Sequence, residues 1–269
     1  MLKTRILTAL VIAPIALLAL FYLSASNFKW FLLLVLFVSG WEWANFARLQ
    51  PLGRVIYASG LGAMFFASSD FLMPWIVAAI VWWGAALWLI VQYPSQSALW
   101  RRPEVIGLIG VVTLIPCGAS LVWLKAQSDA ATVLLLLFVL IWAADIGAYF
   151  VGRRFGQRKL LPKVSPGKSV EGLVGGLVIA VIAGFATLEL MPKVDGRALG
   201  QAGWMLLFLG IGFISVLGDL TLSMFKRSRG IKDSSQLLPG HGGFLDRLDS
   251  LFSAAPIYCG VLFWTAGLT

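Results

Sequence analysis

Apolar runs of about 20 residues recur along the whole of this 269-residue chain, and this pattern constrains the fold most strongly. A run of about 20 apolar residues is long enough to cross the hydrocarbon core of a bilayer as an α-helix. The third run is short and is separated from the fourth only by residues 69–73. We predict nine spans, at about 6–23, 28–46, 55–70, 74–92, 105–124, 131–151, 172–190, 203–220 and 250–268.

The composition supports a membrane environment, since 59% of the residues are hydrophobic and 12% are charged. A soluble domain usually has about 25% charged residues, and its polar surface has to cover its apolar core. We therefore predict an all-α polytopic membrane protein with a catalytic cavity on the cytoplasmic side. Residues 1–130 would supply the N-terminal helices and residues 131–269 the catalytic region of one integral membrane unit.

The basic residues predict the orientation. With the N-terminus in the cytoplasm, the 21 Lys and Arg residues all face inside except Lys29, Lys125, Lys193 and Arg197, as the positive-inside rule requires. We therefore place the chain in the plasma membrane (the inner membrane of a bacterium), with its N-terminus and active site in the cytoplasm. The same rule accounts for the net charge of +9, so we expect no nucleic acid partner.

Acidic residues gather on this inside face, although they contribute little to orientation and are costly near lipid. Asp246 and Asp249 are three positions apart where the ninth span begins, so they share a helix face. Together with Asp219 they could bind a hard cation such as Mg²⁺, or the pair could simply complement a helix dipole. The acids concerned are Glu42, Asp145, Glu171, Asp219, Asp233, Asp246 and Asp249.

Two predicted inside loops carry residues suited to phosphate. In the last loop, Lys226, Arg227 and Lys232 could bind phosphates, whereas Arg229 is interpreted as an exposed charge that serves orientation only. Pro239–Gly243 is a flexible turn around the chain's one histidine, His241, which could equally be a solvated polar residue. The earlier loop, Ser165–Ser169, precedes a helix and could bind an anion, but it lacks the first glycine of a nucleotide P-loop.

Glycines 172, 175 and 176 open the seventh span and predict the close approach of another helix. That helix could belong to this chain or to a second copy.

Read together, these residues resemble the phosphatidate cytidylyltransferase (CDP-diacylglycerol synthase) family. The similarity covers at least residues 145–250, including the segments that begin at Asp145 and Ser165, while the first 130 residues match only as apolar spans. Gly167, inserted before Lys168, departs from the family pattern and leaves the role of Lys168 open. The signature is carried by Ser223, Lys226, Arg227, Lys232, Asp233, Gly240, His241, Gly242, Gly243, Asp246, Arg247 and Asp249.

The resemblance implies transfer of a cytidylyl group from CTP to phosphatidate, giving CDP-diacylglycerol and pyrophosphate for phospholipid biosynthesis. It also implies a homodimer in membrane lipid and a divalent metal, expected to be Mg²⁺, with a second cation left open. The implied catalytic residues are Asp219, Lys226, Arg227, Lys232, His241 and Arg247. The implied substrate-binding residues are Asp145, Ser165, Lys168, Glu171, Ser223, Asp233, Gly242 and Gly243, and the metal ligands are Asp219, Asp246 and Asp249.

Two other functions are compatible with parts of the pattern. A CTP-dependent lipid kinase of the polyprenol type would use the same nucleotide and metal but release CDP. An anion transporter with a basic inner gate would carry charged residues near the middle of its spans, whereas the acids of this chain lie near span ends.

Overall fold

A computed structural model describes residues 14–191 and 199–266, and nine helices account for most of them. Between the sixth and seventh helices, β1 (Lys159–Leu161) and β2 (Ser165–Ser169) form a short antiparallel hairpin, with Leu161 opposite Ser165. The helical fold is confirmed, whereas the hairpin was not predicted. The helices are α1 (described over 14–22), α2 (Ala25–Phe46), α3 (Pro51–Ser68), α4 (Leu72–Val91), α5 (Pro103–Lys125), α6 (Ala130–Phe155), α7 (Val170–Leu190), α8 (Gln201–Arg229) and α9 (Asp249–Ala266).

Within the described ranges, five helices, α4 to α8, are long and apolar enough to cross a membrane, by length and composition. Large apolar side chains such as Val81 and Leu206 are exposed on the outside of the bundle, as expected for a surface that faces lipid. A multi-pass membrane protein is therefore supported. The start of the first predicted span, and the predicted outside residues Lys193 and Arg197, lie outside the described residues.

Helices α6 and α7 pack closely through glycines. A Cβ atom added at Gly176 would lie 2.5 Å from the carbonyl oxygen of Ala144, and one added at Gly172 would lie 2.9 Å from that of Ala148. The predicted close approach is therefore confirmed, and α6 of the same chain supplies the contact. This packing places Asp145 of α6 near the start of α7.

Helix α8 is longer than predicted, because it continues from residue 220 to Arg229. Lys226, Arg227 and Arg229 therefore lie in its last turns, and their assignment to a loop is wrong. No glycine or proline interrupts residues 219–229, and Gly230 is the first that readily adopts the left-handed conformation of a helix end, with φ +75°. Basic residues in the last turn also complement the helix dipole.

Aromatic packing joins the ends of α2 and α8. The ring centroid of Phe225 lies 5.4 Å from that of Trp43 and 6.0 Å from that of Phe46. Trp43 and Phe225 are almost fully buried. The N-terminal helices are thus anchored against the part of α8 that carries the basic residues.

Candidate active site

A cavity of about 350 Å³ lies among α6, α7, α8 and the β-hairpin. Glycines at positions 152, 167 and 172 form part of its wall, so backbone atoms face the space. The polar side chains around it include both acids and bases, as expected for a site that holds a charged substrate. They are Asp145, Tyr149, Arg153, Lys168, Ser169 and Asp219.

Lys168 and Asp219 form an ion pair in this cavity. The Nζ atom of Lys168 lies 2.5 Å from Oδ2 of Asp219, and both side chains are about one-quarter exposed. The hydroxyl of Ser223 donates to the other carboxylate oxygen of Asp219 at 3.2 Å. The structure therefore brings together Asp145, Lys168, Asp219 and Ser223, and it places Lys168 in the cavity despite the additional Gly167.

The residues that precede α7 are arranged differently from the prediction. Residues Ser165–Ser169 form strand β2, so their assignment to a loop is wrong. The hydroxyl of Ser169 caps α7 by accepting from Gly172 N at 3.1 Å, as an N-cap serine does. Glu171 does not line the cavity, because its carboxylate accepts from Gln157 N at 3.0 Å and from Arg158 Nε at 3.1 Å. Its observed contacts hold the start of the hairpin against α7.

Asp246 belongs to a second cluster, built on the segment between α8 and α9. Its Oδ1 atom accepts from the buried Lys226 Nζ at 2.7 Å. Its Oδ2 atom accepts from Ser234 N at 2.9 Å and from Gly243 N at 3.0 Å. Removing either member of such a buried ion pair leaves the other charge uncompensated. The pair therefore ties this segment to the end of α8.

Glu42 of α2 completes the second cluster, although the sequence assigned it no role in the site. Its side chain is fully buried and accepts from Phe244 N at 2.8 Å, Leu245 N at 2.7 Å and Ser234 Oγ at 3.0 Å. A short hydrogen bond from Ser235 Oγ adds a fourth donor. The available signal was an acid within the predicted span at 28–46, which is costly unless it is paired or functional.

The turn at Pro239–Gly243 depends on its glycines. Gly240 and Gly242 have φ of +78° and +81°, which favours glycine because it has no Cβ atom. A Cβ atom at Gly243 would lie 1.7 Å from the hydroxyl oxygen of Ser234. The carbonyl of His241 accepts from Arg247 Nη2 at 2.8 Å, which joins the turn to the segment just before α9. Contact of the turn with an anion stays a prediction.

The remaining predicted residues lie around these two clusters. Asp249 begins α9 against Gly218, where an added Cβ atom would be 2.4 Å from the Asp249 carbonyl oxygen, so it lies close to Asp219. Its Oδ1 atom accepts from Ser250 N at 2.8 Å. The structure does not bring four other predicted residues into the cavity, and their side chains are exposed: Arg227, Lys232, Asp233 and Arg247.

The carboxylates only partly fit the predicted metal site. Within residues 14–191 and 199–266, no group of three or more His, Cys, Asp or Glu side chains is arranged to hold a metal ion. Asp219 faces the cavity, but its oxygens already contact Lys168 and Ser223. Both oxygens of Asp246 likewise already accept hydrogen bonds. Mg²⁺ commonly takes one or two carboxylates and completes its shell with substrate phosphates. Among the described acids, Asp145 and Asp219 line the cavity and would face a cation bound in that way, so the predicted metal site stays a prediction.

Known proteins resemble the chain over nearly its whole length. It is 41% identical over 280 residues to a Haemophilus influenzae phosphatidate cytidylyltransferase, with 96% of this chain and 97% of the relative covered. It is 44% identical over 277 residues to the Pseudomonas aeruginosa protein of the same name, with 99% and 98% covered. Residues 3–264 match the profile of the Cytidylyltransferase family. This protein, with a cavity built around Lys168 and Asp219, therefore belongs to the cytidylyltransferase family.

Proposed function

We propose that the chain is a membrane-embedded phosphatidate cytidylyltransferase that makes CDP-diacylglycerol. The observation that carries this proposal is full-length similarity to two bacterial relatives of that name. The cavity beside α8 supports it, since it combines an ammonium group, carboxylates and backbone-lined walls. Positively charged groups and backbone amides are the usual partners of phosphate.

The proposed reaction is an in-line displacement at phosphorus. A phosphate oxygen of phosphatidate forms a bond to the α-phosphorus of CTP, while the bond from that phosphorus to the bridging oxygen breaks and pyrophosphate leaves. In such reactions catalysis consists mainly of positioning and neutralising charge. The Lys168 ammonium is placed to neutralise a phosphate oxygen, and Asp219 orients that ammonium across the cavity.

We further propose that Mg²⁺ is the metal, held by Asp219, Asp249 and, after it releases Lys226, Asp246. The metal would neutralise charge on the phosphates of CTP and of the leaving pyrophosphate. Of the other predicted residues, Lys226 stabilises the segment that carries Asp246. The exposed Arg227, Lys232 and Arg247 would reach phosphates only where substrate extends beyond the cavity.

The orientation and assembly are also proposals. The basic residues favour a bacterial inner-membrane protein with the cavity open to the cytoplasm, where CTP is available. A homodimer is proposed from the resemblance of residues 145–250 to the family.

One assay separates this function from its rivals. Purified full-length protein in lipid-containing micelles is mixed with CTP, phosphatidate and Mg²⁺, and the products are separated and identified. Pyrophosphate and CDP-diacylglycerol in equal amounts are expected. Release of CDP with a phosphorylated lipid would instead identify a lipid kinase, and no turnover with any lipid phosphate would contradict the proposal.

A further inference from the structure

A second cavity, of about 340 Å³, lies between the end of α2, the start of α5 and the end of α8. It shares no lining residue with the cavity around Lys168 and Asp219. Its polar side chains are three arginines, Arg48, Arg101 and Arg229, together with Ser228. Among the residues that the structure describes, no acidic residue lines it. We call it the arginine cavity.

The apolar part of the arginine cavity is formed by packed aromatic rings. Trp100 is almost fully buried and its ring packs edge-on against Phe225, with centroids 4.9 Å apart. Phe225 in turn stacks on Phe46. Aromatic walls of this kind lower the local dielectric constant, so a charge held beside them interacts more strongly than it would in water.

Two of the three arginines are anchored through Nε. Arg229 Nε donates to the Asn45 carbonyl at 3.1 Å, and Arg101 Nε donates to the hydroxyl of Ser228 at 3.2 Å. Across the described chain, no ion pair joins Arg48, Arg101 or Arg229 to a carboxylate. Three like charges converging without an acid repel one another, and an anion would relieve that repulsion. The interpretation of Arg229 as an exposed loop charge is wrong, because it is half-buried in α8.

Arg48 has an unusual backbone conformation. Helix α2 ends with hydrogen bonds from Leu49 N to Ala44 O and from Arg48 N to Asn45 O, both 3.1 Å, and Arg48 itself has φ +59°. Glycine is the usual residue at this position of a helix end, because a Cβ atom is unfavourable in the left-handed region. The arginine side chain is therefore present at the expense of local backbone stability.

Helix α8 provides the comparison within the same molecule. It ends with the same pair of hydrogen bonds, from Ile231 N to Lys226 O at 3.0 Å and from Gly230 N to Arg227 O at 3.1 Å. At the equivalent position it has Gly230, with φ +75°. The two helix ends differ because Arg48, at the end of α2, lines a cavity together with two other arginines. A strained residue at such a place suggests a functional constraint.

We propose that the arginine cavity binds the phosphate group of an anionic ligand, at a site separate from cytidylyl transfer. The planar guanidinium fork matches phosphate oxygens and can form two parallel hydrogen bonds to them. That phosphate belongs either to the headgroup of an acidic phospholipid or to a soluble phosphate ion. Both have the same chemistry at the arginines, and the experiment below separates them.

The test uses full-length protein in detergent micelles, with thermal midpoint and ligand titration as readouts. One arm adds inorganic phosphate, and the other adds micelles containing phosphatidylglycerol, with phosphatidylcholine as the neutral reference. Arg101→Gln is compared with Arg102→Gln, since these neighbours are both exposed but only Arg101 lines the cavity. We expect Arg101→Gln to weaken binding about tenfold or more and Arg102→Gln to leave it close to wild type.

A second variant separates ligand binding from structural support. Arg48→Gly removes a guanidinium group and relieves the backbone at φ +59°. We expect the midpoint without ligand to rise, while the stabilisation given by the ligand falls. If Arg48 served only to support the structure, its replacement would lower the thermal midpoint instead.

Each outcome of the two arms has a defined meaning. A response to phosphatidylglycerol alone identifies a lipid headgroup, and a response to inorganic phosphate identifies a soluble ion. The proposal is overturned if neither ligand stabilises the protein, or if Arg102→Gln reduces binding as much as Arg101→Gln does. The second result would show that the arginines act only through general positive charge.

Discussion

Replacing Glu42 with glutamine should loosen the segment between α8 and α9. Each carboxylate oxygen accepts one backbone N–H, with Oε1 facing Phe244 N and Oε2 facing Leu245 N. Glutamine has nearly the same shape but only one accepting oxygen. Whichever way its amide is turned, its NH₂ group points at a backbone donor. One buried N–H is therefore left without an acceptor.

The size of the effect follows from these contacts. A buried donor without a partner costs about 1–3 kcal/mol, and the bonds that are kept lose the strengthening given by a full charge. We expect opening of the segment to become easier by about 2–4 kcal/mol. Since each 1.4 kcal/mol is about a tenfold change in an equilibrium, local opening should increase at least about 30-fold.

Hydrogen exchange followed by mass spectrometry measures this opening in the peptide that contains residues 234–245. The matched control is Glu104→Gln, which changes an exposed acid in the first turn of α5. We expect faster exchange and lower CTP turnover for Glu42→Gln, with Glu104→Gln close to wild type. Equal exchange in the two variants would refute the role assigned to Glu42.

Three further predictions concern the site and the topology. Lys168→Met and Asp219→Asn should each lower kcat/KM for pyrophosphate release about 30- to 150-fold, since each removes about 2–3 kcal/mol of electrostatic stabilisation. The double variant should lose little more, because the two side chains are paired; additive losses would contradict the pairing. Gly243→Ala should abolish activity and expose the turn to protease, because the new Cβ atom would lie 1.7 Å from a serine oxygen, whereas Gly60→Ala, in open space, should not. A cysteine at Gln157 should be protected from an impermeant thiol reagent added outside intact cells. Labelling at this position would contradict the proposed orientation, in which Gln157 faces the cytoplasm.

The helices could be predicted well because the hydrophobic pattern reflects the surrounding solvent. Apolar runs indicated where the chain is helical, but not where α8 ends. Hydropathy falls near Asp219, whereas the backbone stays helical until Gly230 provides a left-handed residue. Helix ends depend on backbone conformation, and a change in hydropathy does not determine it. The β-hairpin could not be predicted from the sequence either, because its strands are too short to produce a pattern of alternating residues.

The site was predictable where its residues are close in sequence. The signature placed Gly243 close to Asp246, and the two are in contact. The prediction that Asp246 and Asp249 share a helix face is wrong, because α9 begins only at Asp249 and Asp246 lies in a short turn before it. The pairing of Lys168 with Asp219 joins two different elements, and a single sequence does not record such a contact. Glu42 was visible only as an acid in an apolar run. Its donors lie in a segment that the fold brings to it.

The contacts of Glu42 also have a consequence for synthesis and folding. Glu42 and Leu245 are 203 positions apart in the chain, so α2 is made long before the donors of its carboxylate exist. Contacts of such long range form late, because the intervening chain must first be ordered. Until then the span predicted at 28–46 contains an unpartnered carboxylate, which would be unfavourable in lipid. A chain that stops before residue 234 should therefore keep a poorly inserted α2 and be an early target for membrane proteases.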